Sequence, residues 1–110
     1  MKQDYDKSFD FSVRIIELVK YLDEEKKPFP LSERLIACAA GIGIFLRLAG
    51  LTGRRSAENI VQALNCAVEA EFLLETMGKT GYLTEKQSLP IINDCRTLKT
   101  DVMELLHKAN

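Results

Sequence analysis

A chain of 110 residues is long enough for one domain that buries roughly two thirds of its unfolded surface. Lys and Arg number 15 against 16 Asp and Glu, and the formal net charge of -1 argues against binding nucleic acid by bulk charge while leaving room for a local basic patch. Three widely spaced cysteines, Cys38, Cys66 and Cys95, form no Cys-x-x-Cys pair and fall on apolar helical stripes, the pattern of buried, reduced thiols.

Residues 1–8 read as a polar lead-in that frays, without the apolar core of a signal peptide. From Phe11, the positions Phe11, Ile15, Leu18 and Leu22 mark one helical stripe, widened by Ile16 and Val19. The charged run Asp23 to Lys27 leads into Pro28 and Pro30, which forbid continuation, so the first helix is expected over 9–25.

The second helix is expected over 31–49, with Pro30 and Ser32 suited to its start. Leu31, Leu35, Cys38, Ile42, Phe45 and Ala49 form a heptad-like seam. From Leu35 to Leu46 the segment carries no charged side chain at all. A helix apolar all round must be covered on several sides, and this stretch is too short to cross a bilayer, which needs ~20 residues. Its stripe Ile36, Ala40 and Gly43, flanked by Ile44 and Leu48, is therefore the candidate surface for self-association. No other apolar run is long enough for a span, so no membrane contact is expected and the cytoplasm is the default.

Residues 50–53 form the next turn, with Thr52 or Ser56 as cap, and a third helix is expected over 55–77. Ile60, Leu64, Ala67, Leu74 and Met77 give its stripe, which Val61, Val68 and Phe72 broaden. Gly78 and Gly81 supply the stop. Thr84 to Gln87 is a capping-box pattern opening a fourth helix over 85–108. Pro90 sits inside it, so a kinked or separate first turn is expected there, with Ser88 as a second possible cap. Four helices of similar length joined by short turns make an all-α, antiparallel up-down four-helix bundle.

With these stretches in place, the chain resembles the four helix bundle protein family, the 23S rRNA-intervening sequence proteins. The residues that carry the resemblance are Phe-Ser-Val-Arg-Ile-Ile-Glu-Leu (11–18), Ile-Gly (42–43), Ala-Leu-Asn-Cys-Ala-Val-Glu-Ala-Glu-Phe-Leu-Leu (63–74), Gly-Tyr-Leu-Thr (81–84) and Asp-Cys-Arg-Thr-Leu (94–98). The family is similar in fold to the accessory proteins of diversity-generating retroelements. The resemblance implies a ring-like homopentamer that contacts nucleic acid. Phe45 and Leu48 stand where the family commonly has Asn and Glu, so a polar network or nucleic-acid contact built on those two groups is absent here.

Catalytic machinery is not legible. Glu104-Leu105-Leu106-His107 has the Glu-x-x-His spacing of di-iron bundles, but His107 is the sole histidine and such a site needs two of these motifs. No cofactor or metal is expected, and the chain reads as a non-enzyme. Arg14 and Glu69 interrupt apolar runs, either as ordinary flank charges or as an ion pair that fixes which helices adjoin. Arg54 and Arg55 lie where a helix N-terminus favours anions. With Arg34 and Arg47 they make segment 33–55 basic, a candidate RNA or DNA contact once multiplied by assembly. Two functions remain: an oligomeric assembly or adaptor protein, and alternatively a nucleic-acid-binding module.

Overall fold

A computed structural model describes residues 2–109, the side chain of Lys2 excepted. Four helices, α1 (Lys2–Glu24), α2 (Ser32–Thr52), α3 (Ser56–Lys79) and α4 (Glu85–Ala109), run up and down as an antiparallel bundle of 46 × 20 × 19 Å. Each helix packs against its neighbours in the cyclic order α1, α2, α3, α4, which puts α1 diagonal to α3. Ile15 and Leu22 from α1, Leu35, Ile42 and Leu46 from α2, Ile60, Leu74 and Met77 from α3, and Val102 from α4 are fully buried at the centre. Burying a side chain of that size contributes ~1.5–3 kcal/mol.

Two of the three interhelical reversals are closed by local hydrogen bonds. After α1, Lys27 N–H donates to Leu22 C=O at 2.9 Å and Lys26 N–H to Asp23 C=O at 3.0 Å, with Lys26 at φ 59°. After α3, Tyr82 N–H donates to Met77 C=O and Gly81 N–H to Gly78 C=O, each at 3.2 Å, with Gly81 at φ 88°. The two turns share one design, a left-handed residue just past the helix. Lys26 fills that position with a side chain that strains it by ~1–2 kcal/mol, whereas Gly81 fills it freely. At the same end of the bundle Phe29 meets Tyr82 edge-on at 5.2 Å, closing the core.

The structure differs from the sequence-based expectations at four places. Residues 2–8 are helical, because Ser8 is fully buried where Gly43 leaves room for it, and Lys7 pairs with Asp101 of α4 at 3.0 Å. Helix α2 continues through Gly50 and Leu51 to Thr52, and Gly53–Arg55 form a 3-10 turn without side-chain caps. Helix α4 is continuous through Pro90. Pro90 and Lys86 are both exposed, so the Lys86 carbonyl that loses its donor lies on the solvent side. The capping box forms, with Thr84 N–H donating to Gln87 Oε1 at 2.9 Å and Gln87 N–H to Thr84 Oγ1 at 3.1 Å. Ser88 is not a cap; its hydroxyl is buried against Gly78. Finally, the segment Ser32–Lys79 contains an 18-residue window of mean hydropathy 1.9, long and apolar enough to cross a membrane by length and composition. In the bundle 44% of that window is buried.

Candidate functional site

The expected association stripe on α2 lies beside α1, and small residues determine what remains open. Ser12 Oγ donates to Ala39 C=O at 3.0 Å, and Ser8 approaches Gly43 so closely that an added Cβ would lie 3.1 Å from its hydroxyl. Gly43 is therefore buried beneath α1, at the floor of the candidate surface. Ile36 and Ala40 are half-buried beside it, whereas Ile44 and Leu48 remain exposed, Ile44 at 57%. Between the helices runs a groove of about 250 Å³, floored by Ser12, Ala40 and Gly43 and walled by Phe9 and Ile44. Arg47 closes one end, its guanidinium 5.0 Å from the Tyr5 ring centroid. Phe9, 59% exposed, with Val13 and Ile16 extends the apolar face along α1.

A second apolar surface was missed in the sequence. Val61, Val68 and Phe72, read as broadening the inner stripe of α3, point outward, Phe72 at 67% exposed. The inner face of α3 keeps Ile60, Ala67, Leu74 and Met77 of the expected stripe and adds Ala63 and Ala70. α2 approaches α3 closely at Cys66: a Cβ on Gly41 would lie 2.7 Å from Cys66 Sγ. The spacing 61, 65, 68, 72 is a readable outer stripe, but its apolar members hide it beside an apolar inner face. Phe45, one of the two departures from the family pattern, packs against the core.

The four arginines do not form one patch. Arg34 pairs with Glu69, and Arg47 is held over Tyr5. Arg54 and Arg55 are exposed on the 3-10 turn before α3 and make no ion pair among the described residues. Arg34 lies about 30 Å from them along α2 at a rise of ~1.5 Å per residue.

The Arg14–Glu69 pair is corrected for the same topological reason. Their helices are diagonal, so Arg14 pairs across α1–α4 with Asp94, and Glu69 pairs across α2–α3 with Arg34. Cys38 Sγ donates to Glu69 Oε2 at 2.9 Å, which with Arg34 holds the Glu69 carboxyl below its ordinary 4.5. Burial and that hydrogen bond push the Cys38 thiol up to about 12. Burial does the same to Cys95, whose thiol donates to Ala67 C=O at 3.5 Å. Cys66 is only half-buried, short of the full burial expected for all three, though burial still raises its thiol. Glu71 accepts from Lys99 at 2.7 Å and Arg96 at 2.8 Å, a buried-edge network between α3 and α4. His107 and Glu104 are exposed, and among the described residues no cluster of three or more His, Cys, Asp or Glu could hold a metal.

No protein-family model and no curated protein matches the chain. Among solved structures, it is similar to a protein of unknown function from the S23 ribosomal protein family of Bacteroides thetaiotaomicron. The two align with a TM-score of 0.88 and 31% sequence identity, covering 94% of this chain and 97% of that one. Similarity at that level over nearly the whole of both molecules means that this chain belongs to the S23 ribosomal protein family.

Proposed function

We propose that the protein is a non-catalytic, self-assembling four-helix bundle that acts as an assembly or adaptor module. The observation that carries this is the exposed apolar face across α1 and α2, where Phe9, Val13, Ile16, Ile44 and Leu48 are all exposed. Each such side chain left in water forgoes ~1.5–3 kcal/mol available on burial, and a contiguous patch marks an interface. The sequence resemblance to the intervening-sequence proteins, a family similar in fold to retroelement accessory proteins, points the same way, to a homopentameric ring. The role needs no cofactor or membrane and suits the cytoplasm. Light scattering at micromolar concentration tests it. The purified protein is expected to be larger than a monomer, and I44E/L48E to dissociate it while retaining helicity and melting behaviour. A monomeric wild-type mass refutes the proposal.

A second function, contact with RNA or DNA, is favoured by the exposed Arg54–Arg55 turn at the N-terminal end of α3, which makes no ion pair among the described residues. The ribosomal name of the family supports it. Repetition of the turn around an oligomer would build an electrostatic footprint that one net-acidic chain lacks. Fluorescence anisotropy with structured RNA and with duplex DNA across a salt series decides it. R54A/R55A is expected to weaken binding to all sequences alike and to flatten the salt dependence. No binding by the wild type at low salt eliminates the nucleic-acid function.

A further inference from the structure

The grooves along the helix seams differ in what their charged side chains already hold. The α3–α4 groove, about 410 Å³, is lined by Glu75 and Glu85 as well as by Lys79 and Arg96, and Arg96 is already shared between Glu71 and Glu75. In the α1–α4 groove Lys7 is taken by Asp101 and Arg14 by Asp94. The α1–α2 groove is different. Among the described residues Arg47 is the single charged group that lines it, and it makes no ion pair. The Tyr5 ring, 5.0 Å from the guanidinium, fixes that cation at the groove's end. Beyond it the walls are Phe9 and Ile44 and the floor is Ala40 and Gly43. At the far end Ser12 Oγ donates its proton to Ala39 C=O, which leaves the hydroxyl oxygen as an acceptor only.

We infer that this groove is a binding site for a small carboxylate with a slender apolar body, an arylalkanoate or a medium-chain fatty acid. The carboxylate takes the Arg47 end, where a guanidinium offers paired N–H donors in a fixed plane. The body lies between Phe9 and Ile44, over Ala40 and Gly43. From Ala40 to Arg47 the helix rises about 10 Å, and the groove's volume of about 250 Å³ holds one ring with a short tail over that length. An apolar recess with one convergent charged group is the usual make-up of a small-molecule site. A neutral molecule of the same shape leaves the cation unanswered, and a cationic one is repelled, so the charge sets the ligand class. The site goes beyond the assembly proposed above, which uses the exposed rim of this face, whereas the ligand uses the recess beneath that rim.

Isothermal titration calorimetry with 3-phenylpropionate, and with 3-phenyl-1-propanol as its uncharged counterpart, tests the site. The wild type is expected to bind the acid saturably and the alcohol at least about tenfold more weakly, the difference that a hydrogen bond to a charged group makes. Arg47→Gln is expected to remove the preference for the acid, and Arg47→Lys to keep part of it. Ala40→Leu fills the groove with Arg47 left in place and is expected to abolish binding of both probes. If Ala40→Leu loses helicity by circular dichroism, Arg47→Gln, a change at an exposed position, carries the test. No saturable binding, equal affinity for acid and alcohol, or an Arg47→Gln protein that still prefers the acid overturns the site. Light scattering on the same samples reads assembly separately. An assembled protein that takes up no acid overturns the site alone, and a monomer that binds the acid overturns the assembly alone.

Discussion

The α2–α3 seam and the α1–α4 seam hold the same bundle together by different means. Across α2–α3, Gly41 brings two backbones close, and the Cys66 thiol fills the space that a larger side chain would need. Across α1–α4 the helices share fewer contacts, and the edge is spanned by the ion pairs Lys7–Asp101 and Arg14–Asp94. Beside those pairs a groove of about 270 Å³ remains open, lined by Asp10, Phe11, Thr97 and Leu98 as well as by the paired side chains. Close packing leaves no room for change, whereas exposed charges bridging a gap contribute little and tolerate loss. The bundle should therefore be brittle on one side and forgiving on the other.

The sharpest way to break that contrast is Gly41→Leu. Its branched side chain must enter space already held by Cys66 Sγ, which should cost about 3 kcal/mol by overpacking. Urea denaturation reads the loss, and adding Cys66→Ala should recover part of it. A cost no larger than that of an exposed substitution would show that the seam is not tightly packed.

A smaller effect is expected at the outer edge of the tight half, where Glu71 bridges Lys99 and Arg96. Lys99 first, and Arg96 with it, hold the Glu71 carboxyl below its ordinary 4.5, and Cys38 with Arg34 do so for Glu69. The native state thus binds these protons less readily than the unfolded chain. Their stabilisation is complete above pH 4.5 and is lost as pH falls below 4.5 through the depressed native values. Glu71→Gln should cost about 1.5 kcal/mol at neutral pH and flatten part of that acid slope. An unchanged slope would remove Glu71 from the acid transition.

Thiol chemistry sharpens the comparison within the tight seam. Cys66 is half-buried while Cys38 and Cys95 are buried, so native-state labelling should modify Cys66 first and the other two only on opening. Equal, rapid labelling of all three would contradict the seam. The smallest effect belongs to the forgiving side. Arg14→Ala removes a pair whose members are both about half exposed, and should shift stability by under about 1 kcal/mol in the same urea assay.

What could be read directly from the residues is what short-range physics controls. Helical periodicity, the stop imposed by Pro28 and Pro30, the left-handed Gly81 and the Thr84–Gln87 capping box are each decided within a few residues, and each appears in the structure. The inward stripe of α4, Ile91, Cys95, Leu98 and Val102, was legible because most of the remaining positions of that helix are polar. On α3, apolar residues lie on both faces, so periodicity alone could not choose between Ala63 with Ala70 and Val68 with Phe72. Packing made that choice, burying Ala63 and Ala70 and leaving Val68 and Phe72 exposed. Tertiary structure likewise decided that residues 2–8 are helical, since their order depends on burying Ser8 against Gly43, 35 positions away. It also assigned Arg14 to Asp94 and Glu69 to Arg34, since an ion pair forms between adjacent helices and adjacency belongs to the packed bundle.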